Sequence, residues 1–267
     1  MPATAQVNAS AAPLLAQLRI SGADARKFLQ GQLSNDMQLL AADRMLGAGL
    51  HTPQGRVLAV LQLCMRGSDE IVALLPEDLA ALAAGALTRF ILRAKVKLSV
   101  EPADEALRAL PGAPAGTVAE KLVAIAGGLP QVYAASSGQF IAQMLNLDVL
   151  GAISFDKGCY TGQEVIARSH YRGRVKRRMQ RFAADAPLSL PPGAALRLRD
   201  GRSALLVDCV DLPTGGCEFL AVTTVPGPNA GAELANRSED AGSQVAAHPN
   251  EAPLIASTPL PLPYPLP

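Results

Sequence analysis

Tryptophan is absent from the 267-residue chain, and only 4% of its residues are aromatic. A flat ligand would therefore have to be held mostly by aliphatic surfaces or by the few Phe and Tyr side chains. The four cysteines, Cys64, Cys159, Cys209 and Cys217, form no CxxC motif and no metal-finger spacing. We predict no metal site. Because a chain of this length does not need disulfides, we expect a reducing compartment.

Long apolar runs are also missing. No run approaches the ~18 residues needed to span a bilayer. The opening MPATAQVNAS lacks the positive start and apolar segment of a secretion signal. We therefore expect a cytoplasmic protein with no membrane partner. The apolar fraction of 49% and charged fraction of 18% suit a soluble protein with a sizeable core, and the length is comfortable for two domains.

Charge is small in total but uneven along the chain. The formal net charge is +1, yet residues 168–181 contain seven Lys or Arg and no acid. Such a segment on a mildly acidic body can mark a local anion site for a polyglutamate tail or a phosphate backbone. The alternative is an exposed strand that points Arg174, Lys176 and Arg178 outward, and the sequence leaves both open.

Hydrophobic periodicity predicts an α+β fold. The predicted elements are a strand at 14–20, a short helix from about Ala23, a β-meander over 47–76, an amphipathic helix at 77–93 and a strand at 94–102. The Pro/Ala/Gly-rich residues 101–116 are interpreted as a linker. Short strands at 184–226 predict a small barrel or sandwich, residues 227–256 are expected to be mobile, and the proline-rich tail is expected to be extended. The predicted divisions are 1–100, 101–183 and 184–267.

The stretch from Gly151 to Met179 is the most informative, because it places Cys159 between glycine and tyrosine and just before a predicted helix. Free N–H groups and the helix dipole at that end favour a thiolate, which indicates a reactive thiol or one that touches a metal or cluster. The alternative is a small buried hydrophobic residue. Gly158 and Gly162 favour the functional interpretation, since glycines allow a ligand to approach the backbone closely.

Two polar residues follow the cysteine. Glu164 could accept hydrogen bonds from the N–H groups of a heterocycle, and Gln163 could match an amide-like ring edge. Their alternatives are a first-turn glutamate favoured by the helix dipole and a solvent-facing glutamine.

The segment KGCYTGQE, from Lys157 to Glu164, resembles the signature of the YgfZ family, folate-binding relatives of the glycine-cleavage T-protein. Resemblance is dense over residues 141–178. It extends to LRISGADARKFLQGQLSNDM and HTPQGRVLA in the N-terminal half, to AGGLP before the signature, and to LPLPYP in the tail.

This resemblance implies three α+β subdomains in a T-protein-like ring, with a tetrahydrofolate pocket in the central opening and a barrel-like C-terminal segment. It implies a role in iron–sulfur cluster assembly or repair and, through it, in tRNA modification, with iron–sulfur enzymes or assembly factors as partners. Cys159 corresponds to the thiol on which that role depends. The candidate cofactor-binding residues are Lys157, Gly158, Tyr160, Gly162, Gln163, Glu164 and Arg168.

The sequence departs from the T-protein and from its own family at two places. T-protein chemistry uses an Asp-Asp pair after a glycine turn, whereas residues 57–60 here read Val-Leu-Ala-Val. Because an apolar pair cannot act as a base, we expect an accessory protein and rank an aminomethyltransferase second. The segment between KVKLSV and AGGLP is short, so we expect a shortened middle subdomain.

A direct RNA-binding module ranks last, because the basic segment lacks the interleaved aromatic residues that stack on bases, and no stable nucleic-acid binding is expected.

Overall fold

Two five-stranded antiparallel sheets carry the fold, and this confirms the α+β class. They are seen in a computed structural model of the chain that describes residues 10–173, 175–225 and 252–267. Most of the predicted mobile segment, up to residue 251, lies outside the described residues. Within the described ranges, no helix combines the length and the apolar character needed to cross a membrane.

The first sheet is built from the N-terminal strands in the order β2-β3-β4-β1-β5. Its strands are β1 (Leu15–Ser21), β2 (Leu46–His51), β3 (Val57–Gly67), β4 (Glu70–Pro76) and β5 (Lys97–Pro102). The predicted meander is confirmed: β2 pairs with β3, and β3 pairs with β4. Alternate residues of β3 point into the core, as expected for a sheet with one covered face.

Two helices accompany this sheet. Helix α1 (Ala25–Gln30) follows β1, and α2 (Glu77–Thr88) follows β4. The predicted helix over 77–93 is therefore too long. Leu92 has a φ of 20°, outside the helical range, because the chain must turn there to enter β5 alongside β1. As a result Phe90, which lies beyond the end of α2, is about half exposed.

The predicted linker over 101–116 is wrong, because this segment packs against the first sheet. It contains the end of β5 and the one-turn helix α3 (Glu105–Arg108). Leu107 is buried in a small cluster with Cys64, Val72 and Leu74. Ala103, Leu110 and Ala113 pack against the same cluster, and the Pro/Ala/Gly-rich composition of the stretch conceals these apolar contacts.

The second sheet has the order β10-β6-β9-β8-β7. Its strands are β6 (Arg177–Ala184), β7 (Ala195–Arg197), β8 (Ser203–Asp211), β9 (Cys217–Thr224) and β10 (Ser257–Leu260). The tail is extended, as predicted, and β10 pairs with β6. The predicted barrel does not close. Between residues 252–256 and the opposite edge, the structure shows β-pairing at one isolated bridge, from Arg197 to Leu254, whereas a closed barrel requires a continuous ladder.

The connection between the sheets carries the helices α4 (Val118–Ala126) and α5 (Gln163–Tyr171) and several short 3-10 turns. Helix α4 begins with a capping box, in which Thr117 accepts from the Glu120 N–H and Glu120 accepts from the Thr117 N–H. The three-subdomain division and the ring stay predictions.

A buried ion pair joins α4 to the second sheet. Lys121 Nζ lies 2.8 Å from Asp208 Oδ1, and both side chains are fully or almost fully buried. Tyr133 donates its hydroxyl hydrogen to the same carboxylate oxygen at 3.0 Å, and the Cys209 backbone N–H donates to it as well. Because Lys121 and Asp208 each have a partner of opposite charge, the pair can be buried. Removing one side chain would leave the other charge unpaired in the interior.

We predict that Lys121→Met lowers the free energy of unfolding by ~3–5 kcal/mol, because it leaves Asp208 charged and unpaired in the interior. Urea denaturation followed by circular dichroism measures the change. The matched control is Arg66→Gln, which breaks the half-exposed pair between Arg66 and Asp104 and should cost ~0–1 kcal/mol. Equal losses in the two variants would contradict the buried-pair account.

Candidate functional site

The signature segment is held by a buried lysine. The ammonium of Lys157 donates to three backbone carbonyl oxygens, those of Gln30 at 2.7 Å, Leu33 at 2.7 Å and Asn35 at 2.9 Å. These carbonyls belong to the turn that follows α1. These hydrogen bonds attach the first residue of the signature to the end of α1 and to the turn that follows it.

The same ammonium lies 5.1 Å from the ring centroid of Tyr160, a distance at which a cation and an aromatic face attract each other. Burial lowers the pKa of Lys157 to about 8, while the nearby Asp36 carboxylate acts in the opposite direction. The lysine therefore remains mainly protonated at neutral pH. Its predicted contact with a cofactor is untested, and all three of its donor positions are already used internally.

Tyr160 is the second anchor of the segment. Its side chain is buried, and burial raises its pKa to about 12. Its ring centroid is 6.3 Å from that of His51, which is also buried at the end of β2. Burial lowers the pKa of His51 to about 4, so this imidazole is neutral in the folded protein.

Between the two anchors the chain is open to solvent. Gly158 and Cys159 are both exposed, whereas Lys157 and Tyr160 on either side are buried. The other three cysteines, Cys64, Cys209 and Cys217, are free and buried. The fold therefore presents a single thiol to solvent, on a short loop fixed at both ends.

Helix α5 begins directly after the loop, as predicted. Its N-cap, Gly162, has a φ of 85°, and its first residue is Gln163. Glu164 and Arg168 are exposed and lie one turn apart, so they share a face of the helix. The Ile166 carbonyl accepts a hydrogen bond from Gln143 Nε2 at 2.7 Å, which ties the buried face of α5 to the 3-10 turn at Ala142–Leu145.

The two glycines of the loop differ in their surroundings. A Cβ atom at Gly158 would meet nothing within 4 Å, whereas one at Gly162 would lie 2.6 Å from the Thr52 carbonyl oxygen and 3.1 Å from His51 Cβ. Gly162 is therefore required for packing against the turn between β2 and β3. Gly158 leaves open space beside the thiol.

Some cations of the basic segment 168–181 form internal ion pairs, and others face solvent. Arg178, predicted to point outward, is instead buried and forms a bidentate pair with Asp148, with distances of 3.0 and 2.9 Å. Arg181 pairs with Glu218 at 2.6 Å. Lys176 is exposed, and Arg174 lies outside the described residues. The alternation that predicted an outward row fails because β6 begins only at Arg177 and is covered on both faces near its start.

A cavity of about 190 Å³ lies between the first sheet and the connection that follows it. Its lining includes Gly47, Val60, Gln62, Gln131, Leu147 and Ala152. None of the signature residues lines it. The cavity and the exposed thiol are thus separate features, linked by the few residues between Ala152 and Lys157.

Sequence reasoning missed the polar groups of the interior. Gln131 has a buried side-chain nitrogen with no hydrogen-bond partner in the described part of the chain, and both ring nitrogens of His51 are in the same condition. The only sequence signal for Gln131 was its position directly after the Gly-Pro element AGGLP. His51 lies within the HTPQGRVLA motif, which carries part of the family resemblance but indicated no role for His51.

The cavity suits part of a tetrahydrofolate molecule. At about 190 Å³ it is smaller than the ~300–1,000 Å³ of pockets that enclose a drug-sized ligand, so it matches a ring and not the whole cofactor. Apolar walls, the Gln62 amide and the unpartnered Gln131 nitrogen match the faces and the acceptor atoms of a pterin. In the described residues, His, Cys, Asp and Glu form no group of three or more that could hold a metal ion.

Comparison with known proteins decides the family. The chain is 30% identical to tRNA-modifying protein YgfZ of Escherichia coli over 241 residues, which cover 69% of this chain and 74% of that protein. The chain belongs to the YgfZ family. An uncharacterized protein of Haemophilus influenzae is 28% identical over 213 residues, covering 68% of this chain and 75% of the relative. No family model matches the chain.

The fold of this YgfZ-family chain is similar to that of a solved aminomethyltransferase. The glycine cleavage system aminomethyltransferase T of Bartonella henselae aligns with a TM-score of 0.57 and 13% identity, over 81% of this chain and 80% of that structure. In the present chain, residues 57–60 lie on β3 and present only apolar side chains, of which Val60 lines the cavity. The fold is shared, while the carboxylate pair of the T-protein has no counterpart at this place.

We predict that one added methyl group destabilises the folded protein at Gly162 but not at Gly158. Gly162→Ala should lower the free energy of unfolding by at least ~1–2 kcal/mol, because alanine is strained at positive φ and its Cβ would collide with the Thr52 carbonyl oxygen. Gly158→Ala should be nearly neutral. Urea titrations of the two variants test this, and comparable stability of both would refute the assigned roles.

Proposed function

We propose that the protein is a folate-binding accessory factor that supports iron–sulfur cluster assembly or repair and, through it, tRNA modification. Cys159 is its working thiol. The observation that carries the proposal is the exposure of this one cysteine, on a loop fixed by the buried Lys157 and Tyr160. A rigidly held, accessible thiol is able to meet a partner's cluster, and the buried cysteines are not.

The proposed folate site is the cavity beside the first sheet. Gln131 and Gln62 would meet the polar edge of the pterin, and the aliphatic walls would cover its faces. Reduced folate would bring a one-carbon unit to this site. Contacts of the cofactor's remaining part with Gln163, Glu164 and Arg168 belong to the same proposal, since these residues lie on the solvent side of the signature.

An aminomethyltransferase is not favoured. That chemistry needs a carboxylate beside the folate, and the β3 residues at the cavity are apolar. Neither Val60 nor its neighbours can accept a proton or stabilise a cationic intermediate. A glycine-cleavage assay that gave activity would reverse this choice.

We predict that Cys159→Ser abolishes complementation of a bacterial strain that lacks its own YgfZ-family protein, because the hydroxyl is a far poorer nucleophile and metal ligand than a thiolate. Activity of cluster-dependent enzymes in cell extracts gives the readout. Gln54→Leu is the control, since Gln54 is exposed and lies outside the signature, and it should complement fully. Full complementation by Cys159→Ser would remove the thiol from the proposal.

We predict that tetrahydrofolate binds the wild-type protein with a Kd in the micromolar range, about −8 kcal/mol. Gln131→Leu should weaken binding by roughly threefold to tenfold, as expected for the loss of one hydrogen bond. Isothermal titration calorimetry measures both, with the exposed Gln54→Leu as the control that keeps wild-type affinity. No heat from folded wild-type protein would refute folate binding, and an unchanged affinity of Gln131→Leu would refute the cavity as its site.

A further inference from the structure

Three aromatic side chains meet on the surface at the end of α5. Phe155, which lies before the signature, stacks on His170 with ring centroids 3.8 Å apart and planes inclined by 19°. Tyr171 contacts both rings edge-on, at 6.0 Å from Phe155 and 4.8 Å from His170. Tyr171 is 68% exposed, and His170 is exposed as well. Phe155 is partly buried and packs against the main core, so the rings that face water are those of His170 and Tyr171.

Three uncommitted cations lie near this cluster along the chain. Arg168 and Arg172 lie on and directly after the last turns of α5, and Lys176 follows shortly. All three are exposed. Within the described ranges none of their side chains has a hydrogen-bond or ion-pair partner, in contrast to Arg178 and Arg181.

The charge of this surface is positive but modest. The exposed carboxylates of Asp156 and Glu164 lie on the same segment as the three cations. A ligand that bound through charge alone would therefore be held weakly. The aromatic cluster supplies the additional, uncharged contact that such a surface needs.

We propose that the α5 surface, formed by Phe155, Arg168, His170, Tyr171, Arg172 and Lys176, binds an unpaired RNA segment. A base stacks on the exposed ring of Tyr171 or on the free face of His170, and the cations meet the flanking phosphates. Stacking platforms beside basic side chains are the usual way in which proteins hold single strands. A duplex offers no free base face and fits this surface less well.

This inference goes beyond the proposed function, because it gives the protein direct contact with RNA instead of an effect relayed through other enzymes. It does not depend on folate or on the thiol. The sequence argued against it because Tyr171 is the single Phe, Tyr or Trp among the basic residues of 168–181. The fold adds a second aromatic ring from outside that segment by bringing Phe155 against His170.

The charge component is tested with Arg172→Gln/Lys176→Gln and a short, unstructured, fluorescently labelled RNA. Fluorescence anisotropy of the full chain is followed between ~50 and ~200 mM salt, where each phosphate contact contributes about −0.7 to the slope of log K against log salt. We expect weak, salt-dependent binding by the wild type and a slope that is less steep by about 1.4 in the variant. Arg93→Gln/Lys97→Gln removes two exposed cations elsewhere and should keep the wild-type slope.

The stacking component is tested with Tyr171→Ala, which should weaken RNA binding by roughly 5- to 150-fold, the value of one stacked base. Tyr171→Phe should bind like wild type. Phe90→Ala, at a half-exposed aromatic residue on another surface, is the matched control. Calorimetry with tetrahydrofolate should be unchanged in Tyr171→Ala, so a failure here is distinguishable from a failure of the folate proposal.

Three results would overturn the inference. Equal loss of affinity in the control pair and in Arg172→Gln/Lys176→Gln would show that RNA binds through overall charge only. Unchanged binding by Tyr171→Ala, or duplex RNA and heparin binding as tightly as the single strand, would show that no base stacks at this surface.

Discussion

One buried ammonium holds the candidate site together. Lys157 has its charge satisfied by three carbonyl oxygens of the turn after α1 and by the face of Tyr160. A desolvated cation is costly unless it is surrounded by such acceptors, so the contact fixes the turn and the loop relative to each other. The position of the exposed thiol next to it follows from this single arrangement.

The same turn also shapes the cavity. Ser34 accepts from the Gly49 N–H and donates to the Ala152 carbonyl, and Asn35 Nδ2 donates to the carbonyls of Gly47 and Gly151. Gly47 and Ala152 line the cavity. The turn is therefore bonded to the cavity wall on one side and to Lys157 on the other.

The thiol and the cavity are separate, which changes how the signature is understood. Its polar and small residues have different surroundings: Lys157 and Gly162 are used for internal packing. Cys159 and Glu164 face solvent. A site divided in this way suits an accessory protein, which has to present a group to a partner, better than an enzyme that closes around its substrate.

Much of the architecture was predictable, because local patterns express it. Apolar runs separated by turn residues in 47–76 predicted the meander, and the glycine-bounded signature predicted the start of α5. Predictions failed where a distant partner decides the outcome. Leu107 is buried because it packs against Cys64 and Val72 of the first sheet. Arg178 points inward because it forms an ion pair with Asp148.

By itself, the sequence determined the α+β class, the family resemblance and the identity of the chemically capable residues around Cys159. Only the tertiary structure decided which of these residues face solvent, where a ring-sized cavity lies, and that Phe155 joins His170 and Tyr171 on one surface. The physical reason is that burial, ion pairing and stacking depend on groups far apart along the chain. Their proximity is fixed by packing of the whole molecule and leaves no local pattern in the sequence.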